Sequence, residues 1–454
     1  MERMLTLTVV YMSSSASSRI LMYTGHNELI GGDAHYAFDL INELYSKGCK
    51  VELVTDQNKL FKDRADAWLK VDLVPGYLDT SPKLFKPHFI EKFYSNLSDN
   101  QSSLTIFQLA VFKILSYSIG SRNIAGYLKI FMRVVLLTYV RAHTSNALVF
   151  YRVFKERRGA VDVFHFNNGG FPAKVAGVFG ILMAKCFKVE RIVMTVHNIP
   201  RKRWLPIDVL CDLIVRKCCT DIITASDRVR DELLANRKIP AELCRTIRCG
   251  LEDISLLGSE LCLRKKGELG VGHHQPILLI SGNYEEERKG HVPLLRAIGK
   301  VKKKFPNVLL LIVGGGSEEK KSDLETLIET LGISENVRML GYRRDIYELN
   351  SVADVCLTPS VGDESIPYTI IEAARLGRPV ITTTVGGCSE AVDDGRTGFV
   401  VEPYDIDMLS ERIEILLGSS ELRHEMGEKS RELFLSRFLL SSRIEEHFPA
   451  YGFD

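Results

Sequence analysis

The sequence predicts an α/β protein of two domains, each a parallel sheet covered by helices. Three observations predict it. Short apolar runs ending in polar residues alternate with stretches that carry apolar residues at helical spacing, in both halves of the chain. Glycines gather at strand-to-helix turns, as at Gly31-Gly32, Gly314-Gly315-Gly316 and Gly386-Gly387. At 454 residues the chain is also too long for one compact core.

Taken in order, residues 1–18 read as an N-terminal extension: 4–12 are apolar but short, with only Arg3 as a basic flank, too little for a signal peptide. Residues 19–23 read as a first strand. A Gly31-Gly32 turn, a helix over 34–47 and a strand over 50–55 follow, a βαβ start with its glycines where a backbone could approach a phosphate. The alternation lapses over about 57–150. Segments 104–119 and 127–140 are strongly apolar, the second with Lys129, Arg133 and Arg141 along one side. The region reads first as helices packed in the core with a wet basic edge, and second as a peripheral membrane contact through about 104–140. Strands over 161–167 and 191–197 then end in His165 and His197, two histidines placed to converge on the carboxyl rim of a parallel sheet, where open α/β sheets bind ligands. A strand over 221–226 completes a first domain of 19–257, and the polar, glycine-spotted 258–275 reads as a linker.

The second domain, 276–438, repeats the alternation. A strand over 276–280 leads through Asn283 and the run Arg288-Lys289-Gly290 into a helix. A strand over 307–313 ends in three glycines, and one over 336–340 ends in Gly341-Tyr342. The stretch 354–390 organises the rest. A buried-type strand is broken by Ser360, Gly362 and Asp363, and Pro367 stands at a helix start. The amides of Tyr368 and Thr369 there favour an anion, with the positive end of the helix dipole behind them. Glu364 lies in the loop and Glu372 in the early helix, on the order of 10 Å apart at helical rise. That spacing suits two hydroxyl-rich parts of one ligand with a phosphate between them. Residues 439–454 read as a closing helix.

A net charge of +2 gives no whole-molecule case for nucleic acid. The ten cysteines include no C-x-x-C and no zinc spacing, and most sit in apolar segments, which favours a reducing, cytoplasmic setting. No D-x-D cluster marks a metal site, and no stretch reaches the length of a transmembrane helix.

The pattern Glu364-Ser365-x-Pro367-x-x-x-x-Glu372-Ala373, with Lys289-Gly290, the three-glycine turn and Gly386-Gly387-x-x-Glu390, resembles the retaining family 4 glycosyltransferases (glycosyl transferases group 1) of GT-B architecture. The resemblance covers most of the chain from Arg19 onward except about 57–150, and is most specific in the carboxyl-terminal half. It implies two Rossmann-like domains facing an interdomain cleft. It also implies transfer of a sugar, with retention, from a nucleoside-diphosphate sugar to a glycan, lipid-linked or small-molecule acceptor, without cofactor or metal. By the same resemblance Glu364 contacts the donor sugar and Glu372 the ribose. Lys289, Gly31, Gly32 and the segment Ser365, Ile366, Pro367, Tyr368, Thr369 serve the donor and its diphosphate, and Gly341 and Tyr342 lie near base and ribose. Asn283 stands where the family has an arginine, and Arg288 offers a replacement cation. His165 and His197 take the places of family histidines and stand with Glu364 and Lys289 as the candidate catalytic residues, but Asn167 replaces the second histidine of D-x-x-H-x-H. Those two asparagines keep a second reading open, a catalytically silent protein that binds a nucleotide sugar or a partner enzyme. A sugar-nucleotide epimerase is a third.

Overall fold

The computed structural model describes residues 6–10, 19–24, 32–46, 49–56, 78–79, 147–148, 150–172, 175–203, 206–272 and 274–453. Gly31 and the apolar segment 104–140 lie outside them.

Two sheets carry the chain. The first is built from β1 (Thr6–Val10), β2 (Arg19–Thr24), β3 (Lys50–Asp56), β4 (Leu78–Asp79), β5 (Val163–Gly170), β6 (Arg191–Asn198), β7 (Asp221–Thr224) and β8 (Cys244–Thr246), in the order β4-β1-β3-β2-β5-β6-β7-β8. From β3 to β8 the pairing is parallel, while β1 runs antiparallel to both β3 and β4. The first eighteen residues therefore supply a strand, where the sequence reads a frayed extension. Thr6–Val10 can pair because β3 would otherwise be an open edge. Helices α1 (Gly32–Ser46), α2 (Val175–Cys186), α3 (Pro206–Cys218) and α4 (Asp227–Glu232) connect the strands.

The second sheet is wholly parallel: β9 (Ile277–Ser281), β10 (Leu309–Val313), β11 (Val337–Gly341), β12 (Val355–Thr358), β13 (Val380–Thr383) and β14 (Gly398–Val401), ordered β11-β10-β9-β12-β13-β14. Parallel strands with helices on both faces must be apolar throughout. Ile277, Leu278, Leu279 and Ile280 of β9 are accordingly all buried, each contributing about 1.5–3 kcal/mol of transfer free energy against the entropy of ordering the chain. The order reverses between β9 and β12, so the loops after these strands open a crevice at the carboxyl rim.

The segment read as a linker is a helix over much of its length, α5 (Ser259–Glu268). Its polar composition and internal Gly267 disguise it. It is held by Lys265, which reaches Asp345 at 3.1 Å, and by Cys262 and Leu269, which pack on the core. The segment thus belongs to the second domain, with α6 (His291–Val301), α7 (Glu318–Thr330), α8 (Ile346–Val352), α9 (Tyr368–Arg375), α10 (Ile406–Gly418) and α11 (Ser420–Arg437).

The chain crosses between domains twice, and the crossings pair. Leu251 donates its amide to the Phe438 carbonyl at 2.9 Å and accepts from the Leu440 amide at 3.0 Å. After that, α12 (Leu440–Glu445) and α13 (Phe448–Tyr451) pack on α1 and β6 of the first domain. One hydrophobic cluster runs from Ile20 and Leu40 through Ile366 and Ile370 to Tyr451, so the domains share a core.

Candidate functional site

The stretch after β12 forms the loop and helix that the sequence suggests. Pro367 is the N-cap of α9, in extended conformation, and its fixed φ presents the first turn of α9 to the loop. Glu364 is buried in that loop, and a buried carboxylate needs partners. It has two: Lys289 Nζ at 2.6 Å and the Arg288 guanidinium at 2.5 Å, both on its Oε1. Arg288 also pairs with Glu286 and donates to the Asp363 carbonyl at 3.1 Å. The two cationic side chains keep 38 % and 22 % of their surface exposed, so an anion arriving from solvent meets them directly.

Two glycines make this approach possible. Gly290 (φ +77°) lies so close to Pro359 that a Cβ would sit 1.8 Å from its carbonyl oxygen, and Gly386 (φ +55°) stands in the same relation to the Glu364 carbonyl. Only glycine fits either position, which fixes the Lys289 turn against one side of the Glu364 loop and the Gly386-Gly387 turn against the other.

The remaining donor-side candidates divide. Glu372, in α9, is half-buried, and burial raises its carboxyl to about 7, against the opposing pull of Arg375. Thr369 shares a hydroxyl contact with Thr358 at 3.3 Å. Asn283 turns into its own loop, its Oδ1 accepting from the Glu285 amide at 2.8 Å, and so presents no cation. Ser365 and Ile366 face the first domain: Ser365 Oγ lies 3.4 Å from Ser226 Oγ, and the Ile366 carbonyl meets the Cys249 thiol at 4.0 Å. Gly341 (φ +65°) and the exposed Tyr342 lie at the end of β11, on the sheet's outer edge and three strands from β12. Gly32 opens α1.

The two histidines lie deeper than their strand-end positions suggest. His165 is fully buried, with Nε2 2.8 Å from Thr195 Oγ1 and Nδ1 2.8 Å from the Tyr451 hydroxyl. Burial, with His447 and His197 nearby, holds it well below the usual imidazole range. Nδ1 is a strut to the returning tail and Nε2 one to the neighbouring strand β6. His197 shares a 2.7 Å hydrogen bond with Asn167 Oδ1, and its ring meets Tyr36 edge-on at 4.6 Å. His447 in the tail donates from Nδ1 to the Arg443 carbonyl at 2.9 Å, which leaves Nε2 to accept from Tyr36. Burial lowers His447 to about 4. The network joins the tail to the first domain.

One residue has a role that its motif does not reveal. Glu390, at the end of the Gly386-Gly387 turn, reaches across to the first domain, where its carboxylate accepts the amides of Asp227 and Arg228 at 2.9 Å each and pairs with Arg248 at 3.0 Å. Beneath it, Ser226 caps α4 through the Val229 amide at 3.2 Å and packs against Gly387. The carboxyl rims of the two sheets thus meet at β7, β12 and β13. A glutamate ending a G-G-x-x-E turn is the only sequence signal, and its partners lie more than 140 residues away.

The sequence model of the family Glycosyl transferases group 1 matches residues 264–433. The chain is 32 % identical over 311 residues to a Bacillus subtilis (strain 168) protein named "Putative glycosyltransferase EpsD", an alignment covering 66 % of this chain and 80 % of the relative. The chain belongs to this family of glycosyltransferases. It is also 27 % identical over 234 residues to alpha-D-kanosaminyltransferase of Streptomyces kanamyceticus, covering 50 % of this chain but only 58 % of that relative's length. Among solved structures, the complex of Anabaena HepE with UDP superimposes with a TM-score of 0.70 at 18 % identity, over 94 % of this chain and 98 % of that one. The fold of this group 1 family member is therefore GT-B, with two Rossmann-like domains.

Proposed function

We propose that the protein transfers a sugar, with retention and without a metal, from a nucleoside-diphosphate sugar to a carbohydrate or lipid-linked acceptor. The observation that carries this reading is the triad of Glu364, Lys289 and Arg288, braced by Gly290 and Gly386 where the two domains meet. Loss of a nucleoside diphosphate leaves two to three negative charges on the leaving group, and stabilising them is the main electrostatic task. Lys289 and Arg288 supply two positive charges, and the first turn of α9 supplies a helix dipole. Without donor, both cations pair with Glu364, and Arg288 also with Glu286. An arriving diphosphate shares them, and Glu364 is freed to accept hydrogen bonds from sugar hydroxyls as α9 brings Glu372 towards the ribose. Arg288 takes the part of the arginine absent at Asn283. Attack on the face that the leaving group vacates, with a donor phosphate oxygen taking the acceptor proton, requires no titrating histidine, in keeping with the engaged nitrogens of His165.

The silent-binder reading draws on Asn283, whose amide is committed to its own turn. A panel of nucleotide sugars, beginning with UDP sugars, separates the readings. Nucleoside diphosphate released with acceptor supports transfer, an isomerised donor means an epimerase, and binding without turnover means a silent protein.

A further inference from the structure

Helix α3 (Pro206–Cys218) has its polarity inverted. Its two carboxylates point inward: Asp208 and Asp212 are 0 % and 1 % exposed, beside Cys211, Ile214, Val215 and Cys218. Its aliphatic side chains Val209, Leu210 and Leu213 point outward, 47 %, 44 % and 44 % exposed. These three share one helix face at i, i+1 and i+4, and the face continues at i+7 and i+8 into exposed Arg216 and Lys217.

The inversion is built in. Asp208 is paired with Arg201 at 2.7 Å. Asp212 is paired with Arg203 at 2.6 Å and with Arg237 at 2.7 Å, the latter fully buried with its guanidinium 4.8 Å from the centre of the Phe171 ring. Burying ions costs solvation that pairing only partly returns, so this core holds α3 in one rotation instead of letting it roll its leucines inward. At the carboxyl end of α3 a second element adds charge. Lys185 of α2 lies close enough to act on the Cys218 thiol, as Lys217 does. At the other end, Lys202 is exposed in the loop after β6. Among the described residues none of Lys185, Lys202, Arg216 and Lys217 forms an ion pair.

We propose that this face of α3 docks on an anionic membrane surface. Among the described residues this face offers aliphatic side chains without an aromatic anchor, flanked by cations that form no ion pair and with both carboxylates of the helix turned away; it matches a lipid interface, which takes apolar side chains at the acyl boundary and pairs cations with headgroups. A protein interface would instead centre on aromatic or arginine anchors with a hydrogen-bonding rim. Helix α3 follows β6, whose carboxyl end lies at the rim that carries the first domain's half of the interdomain site. Docking is independent of the transferase reading, because its test measures binding alone.

The test is flotation of the full chain with vesicles of phosphatidylcholine, with and without phosphatidylglycerol, at low and high salt. The wild type is expected to float with the anionic vesicles at low salt and to be released by high salt. Leu210→Ser with Leu213→Ser, and separately Arg216→Ser with Lys217→Ser, should each lower partitioning on the order of 10-fold. All four positions are exposed, so the melting temperature should hold, and equal melting of the variants checks their folding. Wild type that stays with the soluble fraction overturns the proposal. So do double variants that float like wild type, which would move the contact to another part of the chain such as 104–140. A wild type that light scattering finds dimeric, with monomeric variants and no flotation, would assign the face to a second copy and overturn it as well.

Discussion

The two rims that meet at the site are built differently. The second domain's rim is charged and partly exposed: Glu364 sits between Lys289 and Arg288, in loops whose shape is forced by glycines. The first domain's rim is largely buried and hydrogen-bonded, with His165, His197, Tyr36 and Asn167 tied to each other and to the returning tail through His447 and Tyr451. The difference teaches that one half carries the charge a leaving group would need, while the other half is a frame. Substitutions should therefore act on turnover on one side and on stability on the other.

The largest effect is expected at the charged rim. Lys289→Ala should lower kcat by on the order of 10²-fold or more, because a transition-state contact of a few kcal/mol is lost and Glu364 keeps a single cation. Glu364→Ala should do the same, and Glu372→Ala should act mainly on donor KM. Steady-state kinetics with the donor found by the panel measures all three, and wild-type kcat in both Lys289→Ala and Glu364→Ala would remove the site assignment.

Next is the contact that joins the rims. Glu390→Ala removes the acceptor for two α4 amides and the partner of Arg248, a loss of about 1–3 kcal/mol. Small-angle scattering should record a more open pair of domains, and KM should rise more than kcat falls. Unchanged scattering and kinetics together would mean that the contact does not hold the closure.

A smaller effect follows from the raised Glu372 carboxyl. Its folded value of about 7 lies above the ordinary 4.5, so its contribution to folding stability is fully present below about 4.5 and is lost as pH rises through about 7. Ribose hydroxyls bind the ionised form better, so donor binding should release a proton and tighten as pH rises through about 7. Glu372→Gln should flatten that profile, and a wild-type donor affinity independent of pH between 6 and 8, on the order of one unit either side of this midpoint, would count against the ribose role.

The smallest effect at neutral pH belongs to the frame. His447 is lowered from 6.5 to about 4, so its contribution is full above 6.5 and is lost as pH falls from 6.5 to about 4, where the unfolded chain binds the proton first. Urea unfolding should lose stability across that window. His447→Gln should lower stability at pH 7 but show a shallower acid decline, with little change in turnover while the protein stays folded.

Much of this was legible in the residues. The alternation of apolar runs and helical segments gave both sheets, because parallel strands buried on two faces leave continuous apolar stretches. Gly290, Pro367 and Gly386-Gly387 were legible because glycine and proline constrain the backbone locally, whatever surrounds them, and Lys289 and Glu364 were legible through the family resemblance. The polar α5 hid behind its glycines. The strand Thr6–Val10 hid because an antiparallel edge strand is specified by its neighbour as much as by itself.

By itself, then, the sequence determined two α/β domains and the loop-and-helix unit around Glu364, since each rests on periodicity or on backbone restrictions within a few residues. Only the tertiary structure decided that Arg288 shares Glu364, that Glu390 spans the domains, that His165 is locked to Tyr451 and that α3 turns its leucines outward. Those depend on partners that can be hundreds of positions away, and which groups meet is set by how the sheets and the returning tail pack, a matter of burial and pairing that no local spacing records.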